Sequence, residues 1–139
     1  MEITANALQT VAPNSNVLFT ETPVRGNCSL LHREGSGLVT LRGITDQCRA
    51  RFRVSFGANV AIPTGGTVAP ISLAIAINGE PVGPATVIST PAAAGEFNNV
   101  FTSIFLNVPS GCCYTVSVQN ISADDIDVQN ANLIVERVA

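Results

Sequence analysis

The sequence predicts an all-β sandwich of about nine or ten short strands. Apolar residues never recur at helical spacing over a useful length; they alternate or run continuously in short segments. Gly, Pro and Asn punctuate those segments at short intervals, as turns between strands require. Two segments are apolar on both faces of an extended chain. In Ile71–Ile77 one face carries Ile71, Leu73, Ile75 and Ile77, and the other carries Ser72, Ala74 and Ala76. In Phe97–Val108 one face carries Phe97, Phe101 and Phe105, and the other Val100, Ile104, Leu106 and Val108. A strand with one wet face alternates apolar and polar residues, so each of these two segments calls for two burial partners, the second expected to be another copy of the chain.

Along the chain, strands are expected at Asn16–Thr22, ended by Pro23, at Cys28–Arg33, ended by Glu34-Gly35-Ser36-Gly37, and at Leu38–Arg42, ended by Gly43. Cys48–Phe56 follows, then a long loop, Gly57–Gly66. Thr67–Ile77 closes at Asn78-Gly79, the strongest short hairpin signal in the chain, because both central positions of that turn need positive φ. Thr86–Thr90, the loop Pro91–Gly95, Phe97–Val108, the turn Pro109-Ser110-Gly111, Cys112–Gln119 and Ile126–Val138 complete the set. In the last strand the apolar phase moves from Ile126 and Val128 to Leu133 and Val135, which predicts a bulge at Asn130-Ala131-Asn132. Apolar character runs almost to the end, so the final strand is expected to be central and buried.

With 139 residues the chain fits one domain, 1–139, large enough to bury a core without staples. Only 12% of its residues are charged, against about 25% in typical domains, which implies a surface that is partly covered. There is no Lys, and six of the seven Arg fall between Arg25 and Arg53. Six Arg against four carboxylates give residues 1–60 a charge of +2; one Arg against six gives residues 61–139 a charge of −5. A mildly acidic chain argues against nucleic acid as the main partner. The N-terminus lacks a signal-peptide pattern, and the longest apolar run is far below the roughly 20 residues of a membrane-spanning helix. A soluble chain made in the cytoplasm, without membrane insertion, is the expectation.

The chemistry-bearing residues are few. Cys28, Cys48, Cys112 and Cys113 lack metal-type spacing, so free, buried thiols are expected, with a Cys28–Cys48 bridge as the alternative. His32 is the only histidine; Cys28 lies four residues away, about 13 Å along a strand, too far for a nucleophile–base pair. No G-x-S-x-G, H-E-x-x-H or phosphate-binding loop occurs, so neither an enzyme nor a cofactor is expected. Asp124, Asp125 and Asp127 read as a solvated turn, with a Ca2+ site as the alternative. Arg49, Arg51 and Arg53 share one face of a strand, where either carboxylates or a bound anion or glycan must offset their repulsion.

Residues 67–138 resemble the C1q/TNF-like jelly-roll superfamily, in particular the C-terminal domains of collagen-like glycoproteins on bacterial spore surfaces and related phage virion proteins. The likeness is carried by Ala74–Val82 with its Asn78-Gly79 turn, by Ile104–Val108 with Pro109-Ser110-Gly111, by Tyr114–Asn120 and by Asn130–Val138. No Gly-X-Y stalk is present, and the first fifty residues match the pattern poorly. The resemblance implies a two-sheet jelly roll, a homotrimer and termini at one end. The absence of Trp also turns the choice away from an immunoglobulin-like sandwich. The expected function is that of a non-enzymatic homotrimer for structure or surface display, as a virion decoration, fibre head or spore-layer component. Leu73, Ala74, Ile75, Ala76, Phe101, Phe105, Tyr114 and Leu133 are the residues expected between subunits, with the Ser72-Ala74-Ala76 and Phe97-Phe101-Phe105 faces closest to neighbours. The alternative is a receptor- or glycan-binding module that uses the loops Gly57–Gly66 and Pro91–Asn99 or the Arg face.

Overall fold

The computed structural model covers residues 1–139 and is all-β, with eleven strands in two antiparallel sheets. The strands are β1 (Glu2–Ala5), β2 (Gln9–Val11), β3 (Glu21–Val24), β4 (Leu30–His32), β5 (Val39–Arg42), β6 (Arg49–Ala61), β7 (Ile71–Ile77), β8 (Glu80–Ser89), β9 (Asn98–Pro109), β10 (Cys113–Asn120) and β11 (Ile126–Arg137). One sheet runs β3-β1-β11-β6-β9, with β2 also paired to β11; the other runs β4-β5-β10-β7-β8. The two inner faces meet in one core, where Phe19, Phe52, Phe56, Ile3, Leu41, Ile71, Leu73, Ile75 and Leu133 are fully buried. Each such side chain contributes about 1.5–3 kcal/mol through burial.

The local signals hold. Asn78 and Gly79 adopt φ of 54° and 83° between the paired residues Ile77 and Glu80, a two-residue turn with both centres left-handed. The β11–β6 register shifts between Gln129 and Asn132, and Asn130 has φ 54°, so the expected bulge is present. β11 lies centrally, between β1 and β6.

Other expectations are corrected. Asn16–Thr20 is extended but is not a ladder strand: it makes one isolated bridge, Asn16 to Gln119, while the last two residues of the expected strand, Glu21 and Thr22, open β3, which runs on through Pro23. Its alternation reflects Val17 and Phe19, both buried, while the Gln9 side-chain amide pairs with the backbone of Leu18 through bonds of 2.9 and 3.0 Å. β6 continues to Ala61, so Gly57 is no loop residue and sits mid-strand opposite Phe101. β8 starts at Glu80, six residues before the expected strand, and its prolines are tolerated because it is an edge strand with a register break. β1 and β2 were not expected. Each is three or four residues long, and each pairs with β11, at the opposite end of the sequence.

The small face of β7 also differs from expectation. Ala74 and Ala76 are buried within the chain itself. β7 lies between β10 and β8, so Gln119 and Thr86 flank Ala74, and Ser117 and Pro81 flank Ala76. A methyl group on a central strand is covered by larger neighbours on both sides, and this face needs no second chain.

Candidate functional site

The outer face of the β9-containing sheet carries the largest free apolar surface of the two-faced strands. β9 is an edge strand, twelve residues long, and pairs with β6 in continuous register from Asn98↔Val60 to Pro109↔Arg49. Its inner side buries Val100, Leu106 and Val108, and its outer side leaves Phe101 65% and Phe105 64% exposed. Two strands away, Ile134 on β11 points to the same face and is also exposed. A long, regular edge strand with exposed aromatics is a template for association unless something covers it.

Polar groups around these aromatics are tied to one another. Ser55 and Ser103 share a 2.9 Å hydrogen bond between the strands. Arg53 forms an ion pair with Glu136, and Arg51 Nε donates to Asn107 Oδ1 at 3.4 Å. The Arg row is thus only partly offset by carboxylates: Arg53 has one in reach, whereas Arg51 meets an amide. An asparagine ladder runs beside Phe101. Asn99 Nδ2 donates to Asn59 Oδ1, Asn59 Nδ2 to Asn130 Oδ1, and Asn130 Nδ2 to Asn6 Oδ1. Asn132 Nδ2 donates to Glu2 Oε2 at 3.1 Å. Glu2, Asn6, Asn99, Asn130 and Asn132 line, with Phe101 and Gly57, a shallow groove of about 560 Å3. A methyl added on Gly57 would approach Asn132 Oδ1 to 3.2 Å, so the glycine keeps the groove open.

Of the eight residues expected between subunits, only Phe101 and Phe105 offer substantial surface. Leu73, Ile75 and Leu133 belong to the chain's own core, Ala74 and Ala76 are covered as described, and half-buried Tyr114 packs against the core. Sequence reasoning missed Ile134 and the asparagine ladder. The signal for Ile134 was its place between inward-facing Leu133 and Val135.

The remaining candidates are dispersed. Both ring nitrogens of His32 face main-chain carbonyls, those of Leu38 at 3.0 Å and Phe19 at 3.3 Å. Asp127 accepts a hydrogen bond from Thr10, while Asp124 and Asp125 line a cleft of about 510 Å3 under the Ile62–Pro70 segment. No group of three or more His, Cys, Asp or Glu side chains is arranged to hold a metal ion. The loops Gly57–Gly66 and Pro91–Asn99 meet at a bond from Gly95 N to Ile62 O. All four cysteines are free and exposed, not buried as expected: each sits on a loop or at a strand end, outside the two inner faces.

No protein-family model matches the chain, and no curated protein matches it in sequence. Among solved structures, the globular domain of zebrafish complement 1qA is similar over 96% of this chain and 93% of its own, at 11% identity and a TM-score of 0.56. The chain has the C1q/TNF-like jelly-roll fold. The C-terminal domain of the sugar-binding protein EclA is also similar, at 14% identity and a TM-score of 0.43, over 95% of this chain and 79% of that one. A family 35 carbohydrate-binding module from Clostridium thermocellum follows at 16% identity and a TM-score of 0.37, over 96% and 91%. In this jelly roll, Phe101 and Phe105 thus occupy the outer face of the sheet that contains both terminal strands.

Proposed function

We propose that this protein is a non-enzymatic, self-assembling structural or surface-display component, a homotrimer of jelly rolls joined through the outer face of β9 and its sheet. The single observation that carries the reading is the pair of exposed phenylalanines, Phe101 and Phe105, on the outer face of a strand that ends its sheet. Low charge supports it, since a partly covered surface needs fewer charged residues. The number three comes from the resemblance of residues 67–138 to trimer-forming jelly rolls; the choice of face comes from exposure. A virion decoration, a fibre head or a spore or surface layer would each use such a unit.

Size-exclusion chromatography with light scattering tests this. In reducing buffer at micromolar concentration the expected mass is three times the 14.4 kDa chain. The double variant Phe101→Asp, Phe105→Asp should be a folded monomer, because both side chains are largely exposed in the protomer. A wild-type monomer at these concentrations would overturn the reading.

A second reading, glycan binding, is favoured by the groove beside Phe101, where an aromatic wall faces the amides of Asn6, Asn99 and Asn132 and the Glu2 carboxylate. Apolar rings suit the faces of sugars, and amides and carboxylates suit their hydroxyls. A neutral oligosaccharide bound by the wild type and lost in Asn132→Ala, with the oligomer unchanged, would move the assignment to this reading.

A further inference from the structure

All four cysteines lie at one end of the sandwich. Cys113 pairs with Arg42 across β10 and β5, and Arg42 N donates to the carbonyl of Ser29, next to Cys28. Gly43 N donates to Cys112 O at 2.8 Å, and Ser110 N donates to Cys48 O at 3.0 Å. The loops at the other end, residues 62–70, 90–97 and 121–125, contain no cysteine. Cysteine is among the residue types most often buried, yet every one here is exposed and free. Cys112 and Cys113 are adjacent at the start of a strand, where neighbouring side chains point to opposite sides, so they do not suit a bridge to each other.

We infer that this end is a covalent locking site, where disulfides form between copies of the chain. The inference rests on the trimer reading. In any cyclic oligomer, equivalent atoms lie at the same height along the axis, so the cysteine-bearing ends of all copies lie level with one another. The step is thiol–disulfide exchange with a low-molecular-weight disulfide such as oxidised glutathione. Two cysteine thiols on different chains form one S–S bond, and the S–S bond of the small disulfide breaks. That molecule takes up the two electrons and two protons and leaves as two thiols.

The full-length chain, first reduced, is treated with oxidised glutathione and resolved by non-reducing denaturing electrophoresis and peptide mass mapping. Expected are covalent dimers and trimers that dithiothreitol returns to 14.4 kDa, with products ending at the trimer regardless of protein concentration. The variant with all four cysteines changed to Ser should run as single chains while keeping its native oligomer. The Phe101→Asp, Phe105→Asp variant should lose the covalent products. Single chains alone, whether with intrachain bonds or glutathione adducts, would overturn the inference, as would bands that grow beyond the trimer with concentration. Light scattering in reductant separates the two failures. A trimer there with only single chains on the gel sinks the locking site alone, whereas a monomer there sinks the assembly reading and this inference with it.

Discussion

Phe105 stands directly opposite Arg53 in the β6–β9 register, and Arg53 turns to the other side to pair with Glu136 of β11. An exposed aromatic and a half-exposed ion pair therefore share one outer surface, and covering the surface changes what each contributes. In the isolated protomer, water screens the Arg53–Glu136 pair and its net worth is about 0–1 kcal/mol. Within an interface, removal of one partner leaves the other charge desolvated.

Arg53→Ala should accordingly lower protomer stability by less than about 1 kcal/mol while weakening assembly at least about tenfold, the consequence of stranding Glu136 in a covered face. Urea denaturation of the monomeric phenylalanine double variant, with and without Arg53→Ala, gives the first quantity. Sedimentation equilibrium of the single variant gives the second. Equal small effects on both would place the ion pair outside any interface.

Asn120 is the most fully engaged polar side chain in the interior. It is completely buried; its Nδ2 donates to the carbonyls of Val11 and Asp124, and its Oδ1 accepts from Ser122 N. It thereby ties the end of β10 and the following turn to β2. Asn120→Ala leaves one donor and two acceptors without that partner and should cost about 3 kcal/mol, read as a lowered urea midpoint with an unchanged m-value. A loss below about 0.5 kcal/mol, the range of ordinary surface substitutions, would show that solvent replaces these bonds.

The sequence exposed what is decided locally. Asn78-Gly79 announces its turn because two positive φ angles in succession admit few other residues, and the phase change around Asn130 announces its bulge because one extra residue moves the apolar side chains to the other parity. Pairing across the chain is less legible. β1 is four residues long, and its partner, β11, lies about as far away in sequence as the chain allows, so nothing near Ile3 signals it. Alternation separates the two faces of β7 and β9 correctly, but cannot say which face a neighbouring strand covers. Ala74 and Ala76 are covered by Gln119, Thr86 and their neighbours, while Phe101 and Phe105 project from the outer face of a strand that ends its sheet, with a hydrogen-bonded partner on one side only. The candidate site was thus half visible: Phe101 and Phe105 were legible, but Leu73, Ile75 and Leu133 had already been claimed by the core. The thiols were misjudged for a related reason, since burial depends on where loops gather and not on how apolar a residue is.

Gly43 offers the sharpest test of the end that carries the thiols. It lies between β5 and β6, its N–H donates to Cys112 O, and its carbonyl accepts from Gly111 N. A methyl group built on it would stand 2.1 Å from the carbonyl oxygen of Pro109 and 3.3 Å from that of Val108. The obstruction is backbone, which cannot swing aside as a flexible side chain would. Gly43→Ala must therefore push the Pro109–Cys112 turn outward, break at least one of those two hydrogen bonds and cost about 3 kcal/mol, the upper part of the range for forcing atoms into packed space. Gly83→Ala is the matched control, because the space around Gly83 is open and its φ is not left-handed. The two variants should differ in thermal midpoint by about 10 °C, at about 3–4 °C per kcal/mol for a domain of this length. Equal midpoints would mean that the turn yields freely and that the approach of Gly43 to Pro109 holds nothing in place.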